Sequence, residues 1–483
     1  MCRKIFLIIV GLFVMTTVAG CDTNMPFGAI LDPGDAVVDQ GEGSNTPSPE
    51  SSVSISGEET PTSTPIPALN PLGVEGDWEL KFQDEFDENE LDSTRWTTCY
   101  WWDYPSCTIK SNNELEIYQP ENVSIRDGVL YLTAREQNVV VLEDQEFNYT
   151  SGLISSGNSP TDLTEAARFS FRYGFVEVRA KVPKGKGLWP AIWMLPDTRV
   201  STPEIDILEI LGDETDRIVM NYHYFSLEGK EARSSGEWVG PDFSEDWHVF
   251  GLDWQPDHIT WYIDGVERST FTEAAYIATQ PMYIILNLAV GGNWPGSPDE
   301  TTPFPSSFEI DYVRVYQHPG VHYLDPIADT SINSSEPEDN FGKDSFMYSD
   351  GIPIKRMCLK YDTTELTGQE ILSASLRIST TADPGSPSHD IHEIRIMEYL
   401  GWDEYEFDYI GRPLFNGKLL GVIDSATWVH TVYEIPLDVE VLKTELGSTL
   451  GLYIESSGED GLDLYTRESV YGGAQLVIYT STD

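Results

Sequence analysis

The chain has 483 residues, and 80 Asp plus Glu against 29 Lys plus Arg leave a formal net charge of −51. A field of that sign repels phosphate backbones and anionic headgroups, so nucleic acid, sulfated glycans and uronic-acid polymers are set aside as partners. With 40% apolar and 12% aromatic residues the chain is not disordered throughout, and its length allows two or three domains at roughly 100–200 residues each.

Arg3 and Lys4 precede an apolar run from Ile5 to Val18 that is too short to span a bilayer and ends in small residues, which reads as a secretory signal over residues 1–20. Its end, Val18-Ala19-Gly20-Cys21, resembles the bacterial lipobox, which implies cleavage before Cys21 and lipidation of that thiol; the plainer alternative is an ordinary signal with an incidental cysteine. The expectation is an exported protein, lipid-anchored to the bacterial cell envelope or surface, that meets membrane only through that anchor. Residues 21–75 are rich in Ser, Thr, Pro and Glu; they cannot bury enough to fold and read as an extended, disordered stalk. Cys99 and Cys107 flank the aromatic loop CYWWDYPSC, where an oxidising compartment favours a local disulfide over two free thiols. Cys358, between apolar neighbours, reads as a buried core residue.

From 76 to 318 the sequence is a series of short alternating runs broken by Gly, Pro, Asn and Asp, such as YGFVEVRAKV, MYIILNLAV and FEIDYVRVY. Long amphipathic periods are missing. An all-β fold follows, with a curved β-jelly-roll sandwich and its long concave face. The texture changes at Pro319-Gly320, and residues 320–483 read as a second β-sandwich domain.

The chemistry concentrates in Glu204-Ile-Asp206-Ile-Leu-Glu209-Ile210. On a strand Glu204 and Asp206 share a face while Ile205 and Ile207 point into a core, and Glu209 falls out of phase. A β-bulge near Ile207-Leu208 would return Glu209 to the acidic face. A solvated edge strand is the bland reading of such a run. Against it stand two aromatic, glycine-rich segments, GKGLWPAIWMLP upstream and NLAVGGNWPGSP downstream, suited to a groove that receives flat sugar rings.

These motifs, with Asp84-Glu85-Phe86, NNELEIYQPENV from Asn112, YGFVEVRAKV from Tyr173 and IDYVRVYQ from Ile310, occur in an order that resembles glycoside hydrolase family 16 and, within it, the laminarinase-like endo-1,3-β-glucanases. The resemblance covers about 240 residues and implies a retaining, endo-acting hydrolase of laminarin-like β-glucan that works as a monomer. It implies Glu204 as nucleophile, Glu209 as general acid/base and Asp206 between them, a pair of roles that requires carboxyls only about 5–5.5 Å apart. Glu209 is expected to stay protonated beside its anionic neighbours and Glu204 to stay ionised through hydrogen bonds, within one coupled cluster. Trp189, Trp193 and Trp294 would be sugar platforms, core packing being the alternative for Trp193, and Asn113, Arg172, His223 and Asn287 would bind hydroxyls. His248 reads as a satisfied structural histidine.

No cofactor is implied for catalysis, but the family pattern suggests a structural calcium held by Glu85, the Gly128 carbonyl and Asp311. Within residues 320–483, Asp329, Asn340, Arg356, Arg467 and Glu468 resemble the dispersed Asp, Asn, Arg and Arg-Glu positions of bacterial β-sandwich modules, some of which bind carbohydrate; binding and spacer roles stay open. Hydrolysis of mixed-linkage β-1,3-1,4-glucan or of a galactan rests on the same carboxylate chemistry and remains the nearest alternative. A non-catalytic glycan-binding lipoprotein is the more distant one, and the intact ExDxxE spacing weighs against it.

Overall fold

The computed structural model describes residues 70–482 except 142–144, 163, 425 and 426, so the signal, Cys21 and nearly all of the stalk lie outside the described residues. Among the described residues one α-helical turn, Val439–Leu442, and four 3-10 turns are the only helix. The protein is all-β.

Up to Gln317 the strands build two facing sheets. One has ten strands; the other has six, in the order Glu231–Val239, Arg217–Phe225, Glu204–Ile210, Leu188–Pro196, Met282–Val290 and Leu153–Ser155. Every pairing within the six is antiparallel.

Alternation explains why Met282–Val290 reads as an unbroken apolar run. Met282, Ile284, Leu286, Leu288 and Val290 enter the core between the sheets, whereas Tyr283 and Ile285 face the other way. There they join Ala191, Trp193 and Leu195 of the neighbouring strand, with Tyr100 and Tyr118, in a second apolar layer. The strand is therefore buried on both faces. At about 1.5–3 kcal/mol for each large side chain removed from water, the second layer gives the six-stranded sheet a rigid outer face on which a groove can be built.

Beyond Gln317 a four-stranded and a seven-stranded sheet enclose a separate core that includes Met347, Leu359, Leu376, Leu452 and Leu476. Cys358 is fully buried on the other face of its strand, in a smaller cluster with Met397, Trp402 and Tyr453, and burial pushes its thiol up to about 12, so it is inert packing. The chain passes from Ser306–Gln317 to Val321–Leu324 through Gly320, whose φ of +70° suits glycine.

The two β units touch through specific groups. Arg172 ion-pairs with Asp325 and donates to the Tyr323 carbonyl at 3.4 Å, while Tyr173 sets its ring against Tyr323 at 4.7 Å. Arg377 donates to the Pro256 carbonyl, and the Tyr471 hydroxyl donates to the Ser226 carbonyl at 2.6 Å. Arg172 was expected to bind sugar hydroxyls; its guanidinium is instead engaged at this junction, away from the groove.

Candidate active site

Register places the acids. Opposite the tryptophan strand Leu188–Pro196, Glu209 faces Ala191 and Leu208 faces Ile192, but Trp193 faces Asp206, so Ile207 is an extra residue. The same step recurs against Arg217–Phe225, where Val219 faces Glu209 and Asn221 faces Asp206. This β-bulge sends Ile205, Ile207, Leu208 and Ile210 into the core and leaves Glu204, Asp206 and Glu209 lining one groove of about 1080 Å³.

The groove walls take solvent away from the acids. Glu204 is pushed well above the ordinary carboxylate range, first by burial and then by the negative charges of Asp206 and Glu209. Glu209 is pushed the same way by burial and by Asp206, while the Asn221 amide, the Trp189 indole and the Arg233 charge act in the opposite direction. Glu204 therefore departs from expectation. It is not held ionised by donors; its neighbours are Asp206 and His223, whose Nε2 lies 3.9 Å from Glu204 Oε1 and 3.4 Å from Asp206 Oδ2.

Glu209 is held in place by a relay. Asn221 Nδ2 donates to Glu209 Oε2 at 2.6 Å, and Ser235 Oγ donates to Asn221 Oδ1 at 2.7 Å. Sequence reading missed Asn221, Ser235 and Arg233. Alternation along Asn221-Tyr222-His223 would have put Asn221 on the face of His223, whereas Arg233 and Ser235 come from the next strand and only register brings them in.

The aromatic residues divide. Trp189 and Trp294 meet edge to face at 5.2 Å, and Trp294 is 43% exposed, open to a ligand. Trp193 lines the groove but is nearly buried; its indole donates to Asn287 Oδ1 at 2.8 Å, and Asn287 Nδ2 donates to the Tyr118 hydroxyl at 2.9 Å. With both amide ends engaged, Asn287 braces Trp193 and is not the free hydroxyl binder expected. Asn113 is displaced too. It sits in the left-handed region and donates to Asn293 Oδ1 at 2.8 Å, while Asn112 and Glu114 line the groove in its stead. Trp101 and Trp102 also line it, from the loop closed by the Cys99–Cys107 disulfide, whose Cα atoms are 5.0 Å apart.

The expected calcium ligands do not form an oxygen cage. Arg314 donates to both oxygens of Glu85, at 2.7 and 2.8 Å, and Arg179 pairs with Asp311 Oδ2 at 2.6 Å. Gly128 occupies a turn near Asp87. Carboxylates neutralised by guanidinium groups do not fit a hard cation, and nothing in the chemistry below depends on one. His248 is structural, with Nδ1 2.8 Å from Asp264 Oδ2.

In the C-terminal unit, Asp329 Oδ2 accepts from the Arg467 amide at 2.9 Å, and Arg467 pairs with Glu404 and, at 3.3 Å, with Glu468. Asn340 donates to the carbonyls of Glu404 and Phe407, and Arg356 pairs with Glu455 at 2.7 Å. Asp329, Arg467 and Asn340 thus fasten the segment around Glu404–Phe407 to its sandwich, whereas Arg356 and Glu455 pair across two strands of the sheet.

Three carboxyls thus share the outer face of a β-sandwich sheet in a groove lined with aromatic rings. Residues 111–314 match the model of glycosyl hydrolases family 16. A β-glucanase of Rhodothermus marinus is 34% identical over 266 residues, which is 50% of this chain and 85% of that protein. Glucan endo-1,3-beta-glucosidase A1 of Niallia circulans is 31% identical over 285 residues, 53% of this chain and only 39% of its own length. Among solved structures, the laminarinase catalytic domain of Thermotoga maritima MSB8 is 36% identical, covering 50% of this chain and 99% of that one with a TM-score of 0.44. The chain belongs to glycosyl hydrolases family 16.

Proposed function

We propose that the protein is a retaining, endo-acting glycoside hydrolase that cleaves β-1,3-glucosidic bonds in laminarin-like glucans. The observation that carries the reading is the bulge at Ile207, which sets Glu204 and Glu209 in one groove with Asp206 between them. Similarity to proteins named as β-glucanase and endo-1,3-β-glucosidase supports the substrate class.

In the first step the ionised Glu204 carboxylate attacks the anomeric carbon while protonated Glu209 gives its proton to the leaving glycosidic oxygen. A glycosyl ester on Glu204 results. Glu209, now a carboxylate, takes a proton from water, and that water displaces Glu204 with net retention. Attack requires the ionised form of Glu204, which burial and the charges of Asp206 and Glu209 disfavour, so only the fraction of enzyme in which this carboxyl has released its proton is productive. A bell-shaped pH–rate profile follows, with ionised Glu204 and protonated Glu209 as the productive pair. We further infer that a lipid on Cys21 anchors the enzyme at the cell envelope, and that residues 320–483 serve as a glycan-binding or spacer module.

The test pairs Glu204→Gln and Glu209→Gln with the wild type on laminarin, lichenan, agarose and carrageenan, following reducing ends and the anomer first released. Folded variants with near wild-type rates would sink the assignment. Exclusive cleavage of lichenan or agarose would move the enzyme to the mixed-linkage or galactan alternative, which the same carboxyls would serve.

A further inference from the structure

The loop from Cys99 to Cys107 is the one aromatic element of the groove that the catalytic reading leaves without a role. It departs from the edge of the six-stranded sheet, where Thr97 and Ser155 exchange two backbone hydrogen bonds of 2.8 Å, and folds back over the groove floor. Its rings come back to Trp193, which is one strand spacing, about 5 Å, from Asp206 opposite it, so Trp102 lies within about two pyranose units of the acids.

The loop is fixed from several sides. The disulfide closes it, Trp101 Nε1 donates to the Tyr283 hydroxyl at 3.2 Å, and Lys110 pairs with Asp103 at 2.8 Å. Trp102 stacks one face on buried Tyr100, with centroids 4.3 Å apart and planes 15° from parallel, and stands 6.5 Å from Trp193. Trp102 remains partly exposed and lines the groove, as do Ser111 and Asn112. An indole backed by a second ring on a disulfide-closed loop is a preorganised surface for the apolar face of a sugar.

Resting on the glucanase reading above, we propose that Trp102, presented by the Cys99–Cys107 loop, is a stacking platform for a glucosyl unit next to, and not at, the cleaved bond. The loop thereby sets the substrate length the enzyme prefers. Its contribution is to binding of longer chains; bond breaking stays with the carboxyls.

The experiment uses the purified full chain and β-1,3-gluco-oligosaccharides of increasing length, together with laminarin. Trp102→Ala should lower kcat/KM about tenfold on the longer substrates, chiefly through KM, and leave the shortest cleavable one nearly unchanged. Trp102→Phe should recover part of the loss. Cys99→Ser with Cys107→Ser should reproduce the length-dependent loss, because the ring is no longer held. Equal losses at every length, or none at any, would overturn the platform while leaving the glucanase reading intact. Wild-type inactivity on every β-1,3-glucan would overturn that reading and the platform with it.

Discussion

Trp261, on the ten-stranded sheet, reaches through the sandwich core and donates its indole N–H to the backbone carbonyl of Asp206 at 2.8 Å. The carbonyl lies beside the bulge, where the ladder is locally disrupted. A core residue of one sheet thus holds the strand that carries the acids of the other. Trp261→Phe keeps most of the volume but orphans a buried acceptor, so a loss of about 1–3 kcal/mol is expected in denaturant unfolding, with a fall in kcat. Unchanged stability and rate would show that the bulge is held by its ladders alone.

The relay from Ser235 through Asn221 to Glu209 predicts a shift in the pH profile. The Asn221 amide favours ionised Glu209 and so holds its pKa down against burial and Asp206. In Asn221→Ala that restraint is gone and the general acid keeps its proton to higher pH. The alkaline limb of kcat/KM should move upward while the maximal rate falls about tenfold or more, since the acid is no longer aimed. A downward move of that limb would contradict the relay.

Asp329 makes the stability of the C-terminal sandwich pH-dependent. Burial pushes its carboxyl up to about 8, with the Arg467 amide opposing. Between about pH 4 and 8 the folded chain holds a proton there that the unfolded chain has released, so stability falls as pH rises through that window. Asp329→Asn is neutral throughout, and its thermal unfolding midpoint should change less from pH 5 to 8.5 than that of the wild type. Parallel curves would place the titration elsewhere.

Because Arg314 and Arg179 hold Glu85 and Asp311, chelation should leave the unfolding midpoint unchanged. A drop of several degrees in EDTA, reversed by calcium, would return those carboxylates to a metal.

The bulge was legible in the sequence because period-two alternation broke at a position where three acids had to share a face. The double burial of Met282–Val290 was not, since an unbroken apolar run gives its burial but not the two different layers its faces enter. Site residues failed where partners decide. Arg172 and Asn287 have the chemistry to bind hydroxyls, but Asp325 and the Trp193–Tyr118 pair engage them first. Ser235 and Arg233 carry no local signal, because cross-strand register alone brings them to the acids. The loop at 99–107 announced its disulfide through spacing and its rings through composition; only its fold-back over the floor turned those rings toward the groove.

The contacts of Arg172, Arg377 and Tyr471 across the junction have a consequence for how the two sandwiches can move. A module on a loose tether searches a volume, and its help to the neighbouring site is an average over linker conformations. Two sandwiches fastened at several points present their surfaces at one set separation and angle.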